Sequence, residues 1–214
     1  MKKIIAFDCD STLSSIEGVD ELARLSGNDV FLEVERLTNQ AMDGEVPVEE
    51  VFGRRLALIK PTRDQCTQIG QRYVETIEPT AKATIAALQN MGWECIIISG
   101  GFLPCIEPLA RQIGIERIEA VPIFFDEEGK YLGFDENYPT TRSGGKPEII
   151  KLIRKTLSPD IIVMVGDGVS DLETKPHVEH FVGFSRYVQR DRVATSCMHN
   201  VFSMGELLEF IKNT

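Results

Sequence analysis

Cysteine, histidine and clustered positive charge are all scarce or unpatterned in this chain, and each shortage removes a class of function. The five cysteines, Cys9, Cys66, Cys95, Cys105 and Cys197, are odd in number and follow no spacing rule, so they offer no disulfide framework. No apolar run approaches the roughly 20 residues of a membrane span, and none near the N-terminus reads as a signal peptide. These absences point to a soluble protein of the reducing cytoplasm. Of the three histidines, His177 and His180 stand three apart without acidic or cysteine partners that would complete a metal set. Cys66-x5-Arg72 and Cys105-x5-Arg111 have the spacing of cysteine-dependent phosphatases. Both lack the glycine-rich loop whose amides would cradle a phosphate. The formal charge is -10 and the basic residues are scattered, which excludes a nucleic-acid surface. Any anionic ligand must be held by a local cluster of positive groups.

What the chain does have is enough apolar material for a sizeable core: 214 residues, 43% hydrophobic and 26% charged. That suits one globular unit with room for an inserted subdomain. Ile4-Ile5-Ala6-Phe7, Cys95-Ile96-Ile97-Ile98 and Ile161-Ile162-Val163-Met164-Val165 are continuous apolar runs, as strands buried on both faces of a parallel sheet require. Between them, residues 80 to 91 (Ile85, Leu88, Met91) and 146 to 157 (Ile149, Ile150, Ile153, Leu157) carry apolar residues at helical spacing. The order strand, crossover helix, strand predicts an α/β fold with a Rossmann-like parallel sheet and helices on both faces. Ligands of such sheets bind beyond the carboxyl ends of the strands.

Each of the three apolar runs ends in polar chemistry. Asp8-Cys9-Asp10-Ser11-Thr12 follows the first, Ser99-Gly100-Gly101 the second and Gly166-Asp167-Gly168-Val169-Ser170-Asp171 the third. Asp8 and Asp10, at i and i+2 of an extended segment, should project together. Alone, that pair could be an Asp-rich turn capping the next element, but three coincident polar strand ends disfavour a scaffold without chemistry. Carboxylates so close demand a proton or a cation between them. Ser143-Gly144-Gly145-Lys146-Pro147 adds exposed amides, a helix start and an ammonium, a combination that favours an anion. Four acids and a lysine suit Mg²⁺, a hard cation that takes oxygen ligands. The pieces fit aspartyl phosphoryl transfer. Asp8 attacks phosphorus, and Asp10 protonates the departing alkoxide and then deprotonates water. Ser99 gives a hydrogen bond to a phosphoryl oxygen and Lys146 neutralises its charge.

Residues 14 to 77 break the alternation. They read as successive helices at about 17 to 26 closed by Gly27, 29 to 43 closed by Gly44, 48 to 60, and 63 to 77 opened by a Thr62–Gln65 capping box. An insertion directly after the first strand is placed to cover the crevice and exclude water. A helical subdomain with no part in the chemistry is the alternative. Arg55 shares a helix face with Val48, Val51, Phe52, Leu56 and Ile59, whereas Arg54 lies off it. Arg55 is therefore either a snorkelling or structurally paired arginine or a fork for a substrate carboxylate or phosphate. Glu17 either satisfies a helix dipole or receives a substrate ammonium.

Asp8-x-Asp10-x-Thr12, Ser99, Lys146 and Gly166-Asp167-x-x-x-Asp171, in that order, resemble the four motifs of the haloacid dehalogenase superfamily. The resemblance extends through Glu17-Gly18-Val19-Asp20-Glu21-Leu22-Ala23, SGGF at 99 to 102, GFDE at 133 to 136, SGGK and GDGVSD, nearly the whole chain. It implies a catalytic core at 1–13 and 78–214 with a small helical cap at 14–77. It also implies Mg²⁺-dependent hydrolysis of a small phosphorylated amino acid, phosphoserine, in the biosynthesis of serine. By the same resemblance Asp8 is the nucleophile and Asp10 the acid/base. The metal is held by Asp8, the Asp10 carbonyl and Asp167, with Asp171 in support. Ser99, Gly100 and Lys146 hold the phosphoryl group. Glu17 meets the substrate ammonium, Arg55 its carboxylate, and Met42 and Val48 line the apolar side. Ser170, also placed at the substrate, departs from the Thr or Asn often found there. Cys9 takes a slot often held by a larger apolar residue.

Ser185-Arg186 stands where related enzymes frequently have two glycines. A guanidinium there, near the crevice, would recruit a further anionic group, so a related phosphatase or phosphoryl transferase acting on phosphohomoserine or another monoester is the alternative. A receiver-like module that stores an acyl phosphate is disfavoured, because receivers lack a helical insertion after the first strand. Expected partners are the small substrate alone, with no nucleic acid and no membrane. The chain is expected as a monomer or dimer.

Overall fold

The computed structural model describes residues 1–42 and 46–213, except for the side chains at 39, 41 and 42. Among them, six strands form one sheet in the order β3-β2-β1-β6-β7-β8, every neighbouring pair parallel. The strands are β1 (Lys3–Phe7), β2 (Trp93–Phe102), β3 (Arg117–Val121), β6 (Ile161–Gly166), β7 (His180–Phe184) and β8 (His199–Val201). A separate antiparallel pair joins β4 (Ile123–Phe125) to β5 (Tyr131–Phe134).

Alternation along β1 divides the core into two layers. Ile5 and Phe7 pack with α5 (Ala81–Asn90), α6 (Leu103–Ile113) and α10 (Met204–Lys212) through Ile85, Leu109 and Leu207. Ile4 and Ala6 turn the other way, onto Ile149, Ile150 and Ile153 of α7 (Gly145–Leu157). A strand with both faces covered cannot afford polar residues, which is why the three runs are continuous rather than alternating. Each of these aliphatic side chains contributes roughly 1.5–3 kcal/mol by burial.

β1 is central, with β2 and β3 on one side and β6, β7 and β8 on the other, so the order of connection reverses at β1. The crevice beyond such a reversal is where open α/β sheets place ligands. Register completes the placement. Phe7 stands opposite both Ile97 and Val165, and the next residues along each strand bring Asp8, Ser99 and Asp167 to one end of the sheet.

The insertion comprises α1 (Gly18–Leu25), α2 (Asn28–Met42), α3 (Val48–Ile59) and α4 (Arg63–Glu75). Gly27, at φ +114°, makes the sharp turn between the first two. The expected closure at Gly44 falls outside the described residues. The capping box opening α4 is formed: Thr62 Oγ1 accepts from Gln65 N at 3.2 Å, and Gln65 Oε1 accepts from Thr62 N at 2.9 Å. The chain entering and the chain leaving the insertion run side by side. Ser15 N donates to Thr76 O, Glu78 N donates to Leu13 O, and Ser14 bridges Ile77. α4 packs closely on α6, where a Cβ at Gly70 would lie 2.7 Å from Pro108 Cγ. Among the described residues no helix is long and apolar enough to cross a membrane.

Two local expectations change. β2 does not stop at Ser99 but runs on to Phe102, with an irregular register against β3 between Ile98 and Phe102. The chain after Phe7 is not extended through Asp10. It winds into a turn over Cys9–Leu13 in which Ser11 adopts φ +49°. A left-handed serine costs on the order of 1 kcal/mol, offset here by hydrogen bonds from Ser11 N to Ile16 O and from Ser11 Oγ to Glu17 Oε1. Asp8 and Asp10 do reach one cavity, through this turn rather than through the pleat of a strand.

Candidate active site

A cavity of about 240 Å³ opens beyond the carboxyl ends of β1, β2 and β6. It is smaller than the roughly 300–1,000 Å³ of sites for drug-sized ligands, which fits a small polar molecule. Asp8, Asp10, Gly100, Lys146, Asp167 and Ser170 line it from the sheet side, and Glu17, Val48 and Arg55 line it from the inserted helices. The structure therefore brings together nine of the residues singled out in the sequence. Asp171 is fully buried behind them. Ser99 is also fully buried; its hydroxyl accepts from Gly101 N at 2.9 Å and keeps its own proton to give. Met42 ends α2, and its side chain lies outside the described residues.

Lys146 organises the floor. Its Nζ lies 2.9 Å from Asp8 Oδ1 and 2.6 Å from Asp171 Oδ1. The glycines before it are there for space and for backbone shape. Gly144 sits at φ +74°, and a Cβ on Gly145 would lie 1.8 Å from the Pro139 carbonyl oxygen. Burial pulls the Lys146 ammonium down, but Asp171 and Asp8 outweigh it and hold its pKa above the ordinary lysine range. Asp171 accepts from Lys146 through Oδ1 and from Gly168 N through Oδ2, so both its oxygens are engaged. Asp167 receives Thr12 Oγ1 at 3.2 Å on one oxygen and Arg190 Nε at 3.0 Å on the other.

The site is over-supplied with negative charge. Desolvation, then the Asp8 carboxylate, pushes Asp10 up to about 6 and raises Asp167 and Asp171 as well. Desolvation, then Asp10, pushes Glu17 up to about 8. Acids crowded in this way call for a further cation. Carboxylate oxygens of Asp8, Asp167 and Asp171 lie within 4.8 Å of one another. An all-oxygen set of this kind suits a hard divalent ion.

On the opposite wall Arg55 is half-buried, and desolvation lowers its pKa against the opposing pull of Asp20, Glu17 and Asp10. Its Nη1 reaches Thr38 Oγ1 at 3.3 Å, while its buried Nε has no hydrogen-bond partner among the described residues. Of the helix face assigned from sequence, Val51, Phe52, Leu56 and Ile59 are buried and Arg54 is exposed, but Val48 at its start is exposed as well and lines the cavity.

Arg186, whose reach the sequence leaves open, does not line the cavity. Its Nη1 turns to the Phe202 carbonyl at 3.3 Å and lies 3.8 Å from Glu78, and its guanidinium stacks over Tyr187. β7 ends at Phe184, and the chain beyond it carries residue 186 toward β8 instead. The arginine of this stretch that lines the cavity is Arg190, four residues later, just before the short helix α9 (Asp191–Ser196). Nothing local in Tyr187-Val188-Gln189-Arg190 marks it. Sequence reasoning also passed over Tyr73, whose hydroxyl donates to Asp10 Oδ1, and over Arg142, Thr140 and Phe52 in the cavity wall. Cys66 and Cys105 are buried helix thiols, and a hydrogen bond given by the Cys105 thiol to Cys66, together with burial, pushes Cys105 well above the ordinary thiol value. They are no nucleophiles.

This sheet, with a carboxylate and a lysine paired at the end of its central strand beneath inserted helices, is the architecture of a phosphoryl-transferring hydrolase. Residues 2–174 match the haloacid dehalogenase-like hydrolase family, and the chain belongs to it. Its relatives narrow the comparison to phosphoserine phosphatases. The one from Drosophila melanogaster is 39% identical over 209 residues, covering 96% of this chain and 77% of its own. Among solved structures, a phosphoserine phosphohydrolase-like protein from Francisella tularensis superposes with a TM-score of 0.84 at 26% identity, covering 99% of this chain and 100% of its own. A phosphoserine phosphatase solved as a phospho-aspartyl intermediate analogue gives 0.81 at 25% identity, over 98% of each chain.

Proposed function

We propose that this protein hydrolyses O-phospho-L-serine to L-serine and inorganic phosphate through a phosphorylated Asp8. The observation that carries this reading is one cavity with the Asp8–Lys146 pair at its floor and Arg55 and Glu17 on its opposite wall. One end suits a phosphate ester and the other an amino acid.

Asp8, the Asp10 backbone carbonyl and Asp167 would hold Mg²⁺, which supplies charge neutralisation for the phosphoryl oxygens and for the crowded acids. Asp171 supports the set from behind, its oxygens accepting from Lys146 and from the Gly168 amide. Lys146, Ser99 and the Gly100 amide hold the phosphoryl group against Asp8. An Asp8 oxygen attacks phosphorus, the P–O bond to serine breaks, and Asp10 passes its proton to the alkoxide. Burial and Asp8 raise the Asp10 pKa to about 6, close to neutrality, as suits a group that first gives and then takes a proton. Water then attacks the acyl phosphate, Asp10 takes its proton, and phosphate leaves. Uncatalysed monoester hydrolysis is among the slowest reactions known, so each of these aids answers a real barrier.

Arg55 pairs its fork with the substrate carboxylate and Glu17 receives the ammonium, with Val48 and Ser170 completing the pocket. Residues 14–77 act as a lid on a core made of 1–13 and 78–214, a division supported by the single antiparallel bridge between Ser14 and Ile77. Each of these groups belongs to one chain, so a monomer carries a whole site whether or not two copies pair. Five unbridged cysteines support a reducing compartment such as the cytoplasm.

The test is phosphate release from L-phosphoserine, phosphothreonine, phosphohomoserine and sugar phosphates, with and without Mg²⁺. Phosphoserine should be hydrolysed fastest and only with the cation. Equal rates on sugar phosphates would refute the substrate, and undiminished turnover by Asp8→Asn would refute the mechanism.

A further inference from the structure

Asp10 is held through one of its two oxygens. Oδ1 accepts from the Gly18 amide at 2.8 Å and from the Tyr73 hydroxyl. The described residues place no donor on Oδ2, which lies toward Gly101, where a Cβ would sit 2.9 Å from it. Both donors belong to the inserted helices: Gly18 opens α1, and Tyr73 is a fully buried residue of α4. They are wedged together, since a Cβ on Gly18 would lie 2.2 Å from the Tyr73 hydroxyl oxygen.

The two oxygens of a carboxyl group are chemically equivalent until their surroundings distinguish them. A proton on Oδ1 would confront two donors already aimed at that atom. A proton on Oδ2 meets none. We propose that Tyr73 is a positioning residue for the general acid: by occupying Oδ1 it places the transferable proton of Asp10 on Oδ2. This rests on the assignment of Asp10 as acid and base. As the P–O bond breaks, the Oδ2 proton passes to the serine alkoxide and Asp10 is left as a carboxylate whose Oδ1 keeps both donors. In the second half-reaction a water proton returns to Oδ2 while the water oxygen joins phosphorus and the P–O bond to Asp8 breaks, freeing its carboxylate.

The experiment compares kcat/KM of Tyr73→Phe on L-phosphoserine and on acetyl phosphate, a small acyl phosphate whose carboxylate leaving group departs unprotonated. Asp10→Asn serves as reference. For Tyr73→Phe the expected loss is about tenfold on phosphoserine, the order of one hydrogen bond to a charged group, with KM little changed. The loss on acetyl phosphate should stay within about twofold, which also reports that the variant is folded. Asp10→Asn should show the same selectivity in larger measure. If Asp10→Asn discriminates between the two substrates and Tyr73→Phe does not, the positioning role is overturned and the acid assignment stands. Equal loss on both substrates by Tyr73→Phe would make the tyrosine merely structural and overturn the proposal. Equal loss by Asp10→Asn would overturn the acid assignment, and this inference with it.

Discussion

Lys146 Nζ lies 2.6 Å from Asp171 Oδ1, and neither side chain is more than 4% exposed. The same ammonium reaches Asp8, so one buried cation serves both the nucleophile and the loop after β6. Replacing it leaves a nest of uncompensated acids. Lys146→Met should destabilise the protein by about 3–5 kcal/mol at pH 7, the usual cost of stripping a partner from a buried charge. Denaturant unfolding should show the deficit shrinking toward pH 4, as the acids take up protons, and shrinking when Mg²⁺ is in excess.

Glu17 provides the pH test. Its folded-state pKa is raised to about 8 against 4.5 when free, so the folded protein binds a proton that the unfolded chain releases between those values. Stability from this group is therefore present below pH 4.5 and lost as pH rises toward 8. Glu17→Gln removes that dependence. Without substrate or metal, the variant should melt above the parent at pH 8 and together with it near pH 4.

Arg55 should act on recognition rather than on chemistry, because it lines the wall opposite Asp8 with a buried Nε that has no partner among the described residues. Arg55→Ala should raise KM for phosphoserine on the order of 100-fold, as expected when a buried charged contact is lost, with a much smaller change in kcat. Phosphoethanolamine, which has no carboxylate, should be nearly indifferent to the substitution. Steady-state kinetics on the two substrates decide it.

Arg190 competes for Asp167, holding one of its oxygens at 3.0 Å. Arg190→Gln weakens that competition and removes a positive charge, and both effects favour a divalent ion. Calorimetric titration without substrate should show Mg²⁺ binding several-fold more tightly to the variant than to the parent.

The legible parts of this molecule are those whose physics is local. Ile4 to Phe7, Cys95 to Ile98 and Ile161 to Val165 read as buried strands because burial on both faces leaves no polar alternation, and the residues after them read as site because polar groups there have nowhere else to go. The Arg55 face of α3 was readable from helical spacing alone. Arg190, Tyr73 and Thr140 were not, because their roles depend on where a loop, a lid helix and a short turn arrive in space. The reach of Arg186 stayed open for the same reason: its proximity to β7 in sequence says nothing of the turn that carries it to Phe202 and Glu78. β4, β5 and β8 are short and partly exposed, with too few residues to show a period.

The central claim is a covalent bond between Asp8 and phosphorus, and the direct measurement is to trap it. The protein is mixed with phosphoserine and Mg²⁺, quenched in acid within its first turnovers, digested at low pH and analysed by mass spectrometry. The peptide containing Asp8 should carry the mass of one phosphoryl group, and Asp8→Asn should carry none. A phosphoryl group found on Ser99 instead, or steady turnover with Asp8 never modified, would contradict the account.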